Sequence, residues 1–344
     1  YTTCNQFRGD KSSMKVIKYL SIFACISSIL LTVTLFYLDK KVHQSLNLTN
    51  KLVYQVKPGQ SAKGLLNRLK EQGIIADNIG LKIRMKFDPE LANIKVGTYE
   101  LSPSMSALDL LELFSSGKEL QFSISLVEGL NWQEWLLVFK SHPQIQFADD
   151  FYQQLEKIAL PLPKQSIEGF LLPDTYYFVA QTNAIELVKR AHTSMQQYLN
   201  NAWHDRAMDL PYSSAYEGLI MASIIEKETG IAQERALISG VFVNRLNLKM
   251  RLQTDPTVIY GMGENFDGNI RRKDLKAATP YNTYVIKGLP PTPIAMPSKL
   301  AIDAAFNPIE TQQLYFVSKG DGSHKFSSTL QEHNIAVRKY QLNK

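Results

Sequence analysis

Between Tyr19 and Leu38 the chain runs for 20 residues, YLSIFACISSILLTVTLFYL, without a charge. As a helix, at about 1.5 Å per residue, such a run crosses a hydrocarbon core of about 30 Å. Lys15 and Lys18 precede it and Asp39, Lys40 and Lys41 follow it, so the flanking charges hardly decide its orientation. A cleaved signal peptide and a buried helix are the alternatives. The run is long for the apolar part of a signal peptide, and no A-x-A cleavage pattern follows it. A retained transmembrane helix at 19–38 is therefore expected. Residues 1–18 would form a short cytoplasmic N-terminus, with 1–13 an extension ahead of Met14, and 39–51 a polar tether. With so short a tail before the span, the remaining residues lie most simply outside the cytoplasm.

The chain has 344 residues, is 44% hydrophobic and 20% charged, and carries a net charge of +6. That length suits two or three domains. The small positive excess shows no Lys/Arg-rich run interleaved with aromatics, so a nucleic-acid partner is not indicated. The two cysteines are Cys4 and Cys25. Everything beyond Cys25 lacks the residues for a disulfide framework or a cysteine-based metal site.

Two regions are expected after the tether. In the first, 52–120, LVYQV reads as a strand and Ser61 as the N-cap of the helix AKGLLNRLKEQG. Leu65, Leu66 and Leu69 share one face of that helix and Gly73 closes it. VGTYEL and SMSALDLLELFSSG continue the β-α pattern, the second helix ending at Gly117. No catalytic cluster is visible there; a structural spacer and a polymer-binding module fit equally well. The second, 121–344, mixes helices at Trp132–Lys140, Ala184–Asn200, Glu217–Glu228 and Gln233–Leu248 with short strands and Pro/Gly-rich loops. The fold class expected is α+β. No nucleophile elbow, phosphate-binding loop or dinucleotide fingerprint occurs.

The helix EGLIMASIIEKETG is apolar nearly all round, as a buried helix is, and Gly230 is a plausible stop. Glu226 follows Leu219, Ala222 and Ser223 by seven, four and three residues and shares their face. Glu228, two residues on, points roughly 200° away. Burial and the negative end of the helix dipole both favour the protonated form of Glu226, which suits a general acid. Lys227 and Arg235 would oppose this if they came close. Taken alone, EKE at a helix end is more often a glutamate paired with Arg or Lys.

The surrounding loops carry the amides, hydroxyls and rings that a sugar site uses. RLQTDPTVIYG holds Gln253, Thr254 and Asp255. TPYNTYVIKGLPPTPI holds Tyr281, Asn282, Thr283 and Tyr284. GDGSHKF holds His324, and EHN holds His333 and Asn334. Each loop alone also reads as ordinary turn chemistry.

Taken together, ASIIEKETG, NRL…MRLQTDPTVIYG, YNTY…GLPPTPI, YFVSKGDGSHKFSSTLQEHN and EGFLLPDTYYF (Glu168–Phe178) resemble the MltG family of endolytic murein transglycosylases, also called YceG-like. The resemblance runs from the apolar helix to the C-terminus. It implies an inner-membrane anchor, a periplasmic LysM-like module at 52–120, and a catalytic domain at 121–344. Glu226, the first glutamate of EKET, matches the family's catalytic glutamate on this reading. The substrate implied is peptidoglycan, with peptidoglycan synthases (penicillin-binding proteins) as candidate partners.

A lytic transglycosylase manages with one carboxyl group. Glu226 would protonate the oxygen between N-acetylmuramic acid and N-acetylglucosamine. It would then take the proton of the muramic C6 hydroxyl as that oxygen closes on C1, leaving a 1,6-anhydro end; the nucleophile is already held in the substrate. Gln253, Thr254, Tyr281 and Asn282 are candidates for positioning the sugar, with Asp255, Thr283 and His324 completing the expected substrate-binding set. No metal or organic cofactor is expected.

Two rival readings stand beside this one. A hydrolytic muramidase would use Asp255 as its second carboxylate. A non-catalytic glycan-binding scaffold would need no acid at all. A pyridoxal-phosphate lyase is weaker, since neither a Schiff-base lysine nor a phosphate cup is signalled.

Overall fold

The computed structural model describes residues 11–158 and 166–342. Residues 1–10 of the expected extension lie outside the described residues. The chain divides into two compact units, one ending at Gln121 and the other starting at Phe122.

Unit 1 opens with α1 (Lys11–Val42), which extends the uncharged run at both ends. Among the described residues it is the one helix long and apolar enough to cross a membrane. There follow β1 (Leu52–Val56), α2 (Ala62–Glu71), α3 (Ile79–Phe87), a 3₁₀ turn (Pro89–Ala92), β2 (Gly97–Leu101) and α4 (Ala107–Ser116). β1 and β2 pair antiparallel with Tyr54 opposite Tyr99. The Ser61 hydroxyl accepts the Gly64 N–H at 3.2 Å and starts α2, which buries Leu65, Leu66 and Leu69 as the pattern requires. Ser106 and Asp109 form a reciprocal capping box on α4, and Gly117 closes that helix in a left-handed conformation, φ 72°. Phe114 from α4 packs edge-on against Tyr99, centroids 5.0 Å apart, in the middle of the small core.

Unit 2 is larger and mostly helical. β3 (Gln121–Leu126) leads into α5 (Trp132–Ser141), β4 (Ile145–Gln146) and α6 (Phe151–Glu156). β5 (Asp174–Val179) and β6 (Thr182–Asn183) precede α7 (Ala184–His204), α8 (Ala215–Glu228), α9 (Ala232–Asn247), α10 (Asp255–Met262) and α11 (Lys299–Phe306). β7 (Tyr315–Ser318), β8 (His324–Ser327) and α12 (Leu330–Val337) end the unit. The strands form three two-stranded pairs, β3 with β5, β4 with β6 in parallel, and β7 with β8 antiparallel. The expected mixed α+β class is observed.

α8 is the centre of this unit. Leu219 to Ile225 are all buried, and α7, α9, α10 and α11 pack around the helix. Ser214 caps it by accepting the Glu217 N–H at 3.4 Å. The approach of α11 needs a glycine on α8. A Cβ added at Gly218 would stand 2.1 Å from the Phe306 ring, which is itself fully buried. In an exposed helix Gly→Ala gains about 1 kcal/mol. Here the clash reverses the sign, so Gly218→Ala is expected to cost about 1–3 kcal/mol, read as a fall in the thermal unfolding midpoint. A neutral or stabilising result would mean that α8 and α11 are not packed this closely.

Candidate active site

The last turn of α8 sends its two glutamates into different surroundings. Glu226 Oε1 is 3.3 Å from Arg235 Nη2, and the side chains of the pair are only 4% and 9% exposed. Glu226 Oε2 accepts the Ser298 N–H at 2.9 Å and also the Ser298 hydroxyl. Ser298 is the N-cap of α11, its hydroxyl also accepting from Ala301 N–H at 3.2 Å. Lys227 turns away and donates to the Gly129 carbonyl at 2.9 Å. Glu226 is thus a buried carboxylate matched by one guanidinium and two serine donors, and it ties α8 to α9 and α11.

Glu228 faces the loops that the sequence singles out. Its Oε1 accepts the Thr254 hydroxyl. Burial pushes its carboxyl up to about 7; the Thr254 hydrogen bond pulls the other way, nearby Asp255 adds to the rise, and His324 and Arg245 oppose it. The Asp255 carboxylate accepts the Tyr284 hydroxyl at 2.6 Å. His324 is held at both ends of its residue by Glu234, which accepts its backbone N–H at 3.0 Å and lies 2.7 Å from Nδ1. Arg245 donates to the Leu314 and Leu252 carbonyls at 2.6 and 2.7 Å, fixing a positive charge behind the cluster.

Beneath the cluster lies a set of buried threonines. Thr254 N–H donates to Thr283 Oγ1 at 3.0 Å, Thr257 Oγ1 is 2.9 Å from Thr283 Oγ1, and Thr257 donates to the Thr254 carbonyl at 2.8 Å. Gln253 is exposed, sits at φ 52°, and donates its N–H to the Thr283 carbonyl at 3.2 Å. Left-handed backbone in a non-glycine residue is strained, and here two segments 30 residues apart hold it.

The residues expected at the site are therefore placed unequally. Thr254, Asp255 and His324 gather around Glu228, with Gln253 on the same strained turn. Thr283 is fully buried and serves as a cross-brace. Asn282, 1% exposed, donates to the Asp274 and Ala277 carbonyls at 3.0 and 2.7 Å and accepts from Tyr284 N–H, so its amide shapes its own loop. Tyr281 bonds Thr292 at 2.8 Å and packs edge-on against Tyr260, centroids 5.0 Å apart.

Tyr260 leads to a third carboxyl group, for which sequence reasoning assigned no role. Glu168, 3% exposed, accepts the Trp132 N–H on both oxygens at 3.1 Å and the Tyr260 hydroxyl at 3.1 Å. Burial pushes it up to about 7 as well. Ser298, Glu234 and Arg245 likewise have no role assigned from the sequence, whereas Arg235 is expected there as a charge able to oppose the rise of Glu226, and it is the residue that pairs with it. Only Glu234 and Arg235 carry a local signal, as charges opening the helix after EKET.

A buried carboxyl group raised to about 7 and bonded by one hydroxyl can give up and take back a proton near neutrality, and the class such a group defines is an acid–base enzyme. Residues 54–339 match the YceG-like family, and the chain belongs to it. An endolytic murein transglycosylase of Bacillus subtilis (strain 168) is 30% identical over 305 residues, covering 82% of each chain. A protein of the same name from Streptococcus pneumoniae (strain ATCC BAA-255 / R6) is 25% identical over 346 residues, covering 89% of this chain and 61% of that one. The crystal structure of a YceG-like protein from Listeria monocytogenes superposes with a TM-score of 0.52 at 28% identity, covering 83% of this chain and 99% of that chain.

Two stability outcomes follow from the contrast between the glutamates. Glu226→Gln leaves Arg235 buried without its counter-charge and is expected to cost about 3 kcal/mol in urea unfolding; a cost near zero would mean the pair is not buried. Glu228 binds its proton more tightly in the folded protein, at about 7, than in the unfolded chain, at 4.5. Its contribution to stability is thus complete below pH 4.5 and lost as pH rises through about 7. Unfolding midpoints should fall over that window, and Glu228→Gln should flatten part of the fall. An unchanged slope would contradict this placement.

Proposed function

We propose that the chain is a membrane-anchored endolytic murein transglycosylase and that Glu228 is its acid and base. The carrying observation is the contrast between the two glutamates. Glu226 is already paired with Arg235 and hydrogen-bonded by Ser298, whereas Glu228 meets the Thr254, Asp255 and His324 cluster with a carboxyl raised to about 7. The names of the relatives support murein as the substrate.

On this reading protonated Glu228 donates to the glycosidic oxygen between N-acetylmuramic acid and N-acetylglucosamine as the C1–O bond breaks. The resulting carboxylate accepts the proton of the muramic C6 hydroxyl while O6 bonds to C1, giving a 1,6-anhydro end with no water consumed. The Thr254 hydroxyl orients the Glu228 carboxyl. Gln253, exposed on its strained turn, and Tyr281 are the expected contacts to sugar hydroxyl and acetamido groups. His324, fixed by Glu234, is a further expected contact to the substrate. Asp255 is close enough to Glu228 to raise it, which keeps a two-carboxylate hydrolase as the second reading, although the Tyr284 hydroxyl already occupies Asp255.

α1 would anchor the enzyme in the cytoplasmic (inner) membrane with both units on the wall side. Unit 1 would serve as a LysM-like module, and cutting near the membrane would end nascent strands made by neighbouring synthases.

Incubating the full chain with uncrosslinked glycan strands and weighing the new ends by mass spectrometry tests the chemistry. Ends lighter by one water support the transglycosylase, and reducing ends support the hydrolase. Glu228→Gln is expected to fold normally and lose at least about 100-fold in activity. Glu226→Gln, assayed below its lowered melting temperature, should keep most of its turnover. The opposite pattern would move the acid to Glu226.

A further inference from the structure

The last turn of α1 is locked onto unit 1. α3 approaches it so closely that a Cβ at Gly80 would stand 3.1 Å from Lys41 Cβ and Val42 Cγ2, and 3.3 Å from the Leu38 carbonyl oxygen. Lys41 Nζ is 3.3 Å from the Asp77 carboxylate. Gln44 donates to the Asp77 carbonyl at 2.6 Å and accepts its N–H at 3.0 Å. Leu46 and Asn47 donate their N–H groups to Met105 and Ile74. Val42 and Leu46 are part of the core of unit 1. α3 therefore stands beside the point where the apolar helix ends.

Charge is concentrated at the same place. Residues 39–88 contain ten Lys and Arg against four Asp and Glu, whereas residues 89–344 contain 24 against 27. The positive excess beyond the uncharged run thus belongs to residues 39–88. A cleft of about 400 Å³ between α2 and α3 is lined by Lys63, Lys82 and Lys86 together with Ser61 and Asn93, with no carboxylate in its lining. Lys82 donates to Asn67 at 2.7 Å, and none of the three lysines forms an ion pair among the described residues. Ile79 and Phe87, at the two ends of α3, are 55% and 82% exposed. Unpaired lysines beside exposed large apolar side chains match a lipid headgroup region, which takes the charges at its phosphates and the apolar groups just below them.

We infer that α3 and the lysine cleft beside it form a docking surface for the anionic headgroups of the bilayer that α1 crosses, so that unit 1 lies against the membrane. This rests on α1 being a membrane anchor and adds a second, lipid-dependent contact. The contact selects anionic over zwitterionic lipid and weakens with salt, because exposed charges are screened within about 10 Å at 0.1 M.

The full chain is reconstituted in nanodiscs of phosphatidylcholine alone or mixed with phosphatidylglycerol, and hydrogen exchange is followed in residues 79–88. Exchange there is expected to be about tenfold slower in the anionic discs, an effect removed by high salt and by Lys63→Gln with Lys86→Gln, which leaves the Lys82–Asn67 bond intact. Phe87→Ser should weaken it independently. Equal exchange in the two lipids, or slowing that survives the lysine substitutions, would overturn the surface while leaving the anchor standing. Slowing in zwitterionic discs only after a soluble anionic wall polymer is added would assign the cleft to that polymer instead. A chain that does not enter the discs at all would overturn the anchor and the surface with it.

Discussion

Everything at the candidate site hangs on the burial of α8. A helix with no polar face can persist in water only if other elements cover it on all sides, and α7, α9, α10 and α11 do so. The cost of such enclosure is that any polar group on the helix must find a partner inside the protein. Ser223 does, accepting the Ile294 N–H at 3.0 Å and donating to the Ile220 carbonyl at 2.7 Å. Glu226 does, through Arg235 and Ser298. The enclosing elements also bring the loops after α9 and before α11 to the end of the helix, and there Glu228 finds one hydroxyl and a set of surrounding charges.

The two carboxyl groups show how position sets chemistry. They share a helix turn and a residue type. One is paired with a guanidinium and accepts two hydrogen bonds from Ser298. The other is desolvated with a single hydroxyl bond and a neighbouring Asp255, conditions that favour keeping the proton. Glu168 is raised by burial to the same degree although it also accepts the Trp132 N–H, joining the start of α5 to Tyr260 of α10, and so shows that an elevated carboxyl by itself does not mark the chemistry.

Much of the fold was legible because its signals are local. Ser61, Ser106 and Gly117 mark helix ends by backbone chemistry that needs nothing distant, and the Leu65–Leu66–Leu69 face needs only the helical period. α3 was not legible: IGLKIRMKF alternates cations with apolar residues, and two of those apolar residues remain exposed, so no clean stripe appears. At the site, the sequence could place Glu226 and Glu228 on different faces of one helix but could not say what would cover each face. Those covers come, for Glu226, from Arg235 on the next helix and from Ser298, which is 72 residues away, and, for Glu228, from Thr254. The paired reading of EKE, the bland one, describes Glu226 in the structure. Asn282 and Thr283 show the same limit, since an amide or hydroxyl in a loop reads alike whether it faces a ligand or braces its own turn.

The length of α8 has a consequence of its own. From the Ser214 cap to Glu228 the helix is continuous, and each residue turns its successor by about 100°. Replacing one apolar residue with another perturbs packing locally and is partly absorbed by repacking. Adding or removing a single residue would rotate Glu226 off Arg235 and Glu228 off Thr254 at once, and no neighbour could follow both. Between Ser214 and Glu228 the spacing is therefore under tighter constraint than the composition. When relatives are aligned, changes of letter belong inside this segment, and gaps belong outside it.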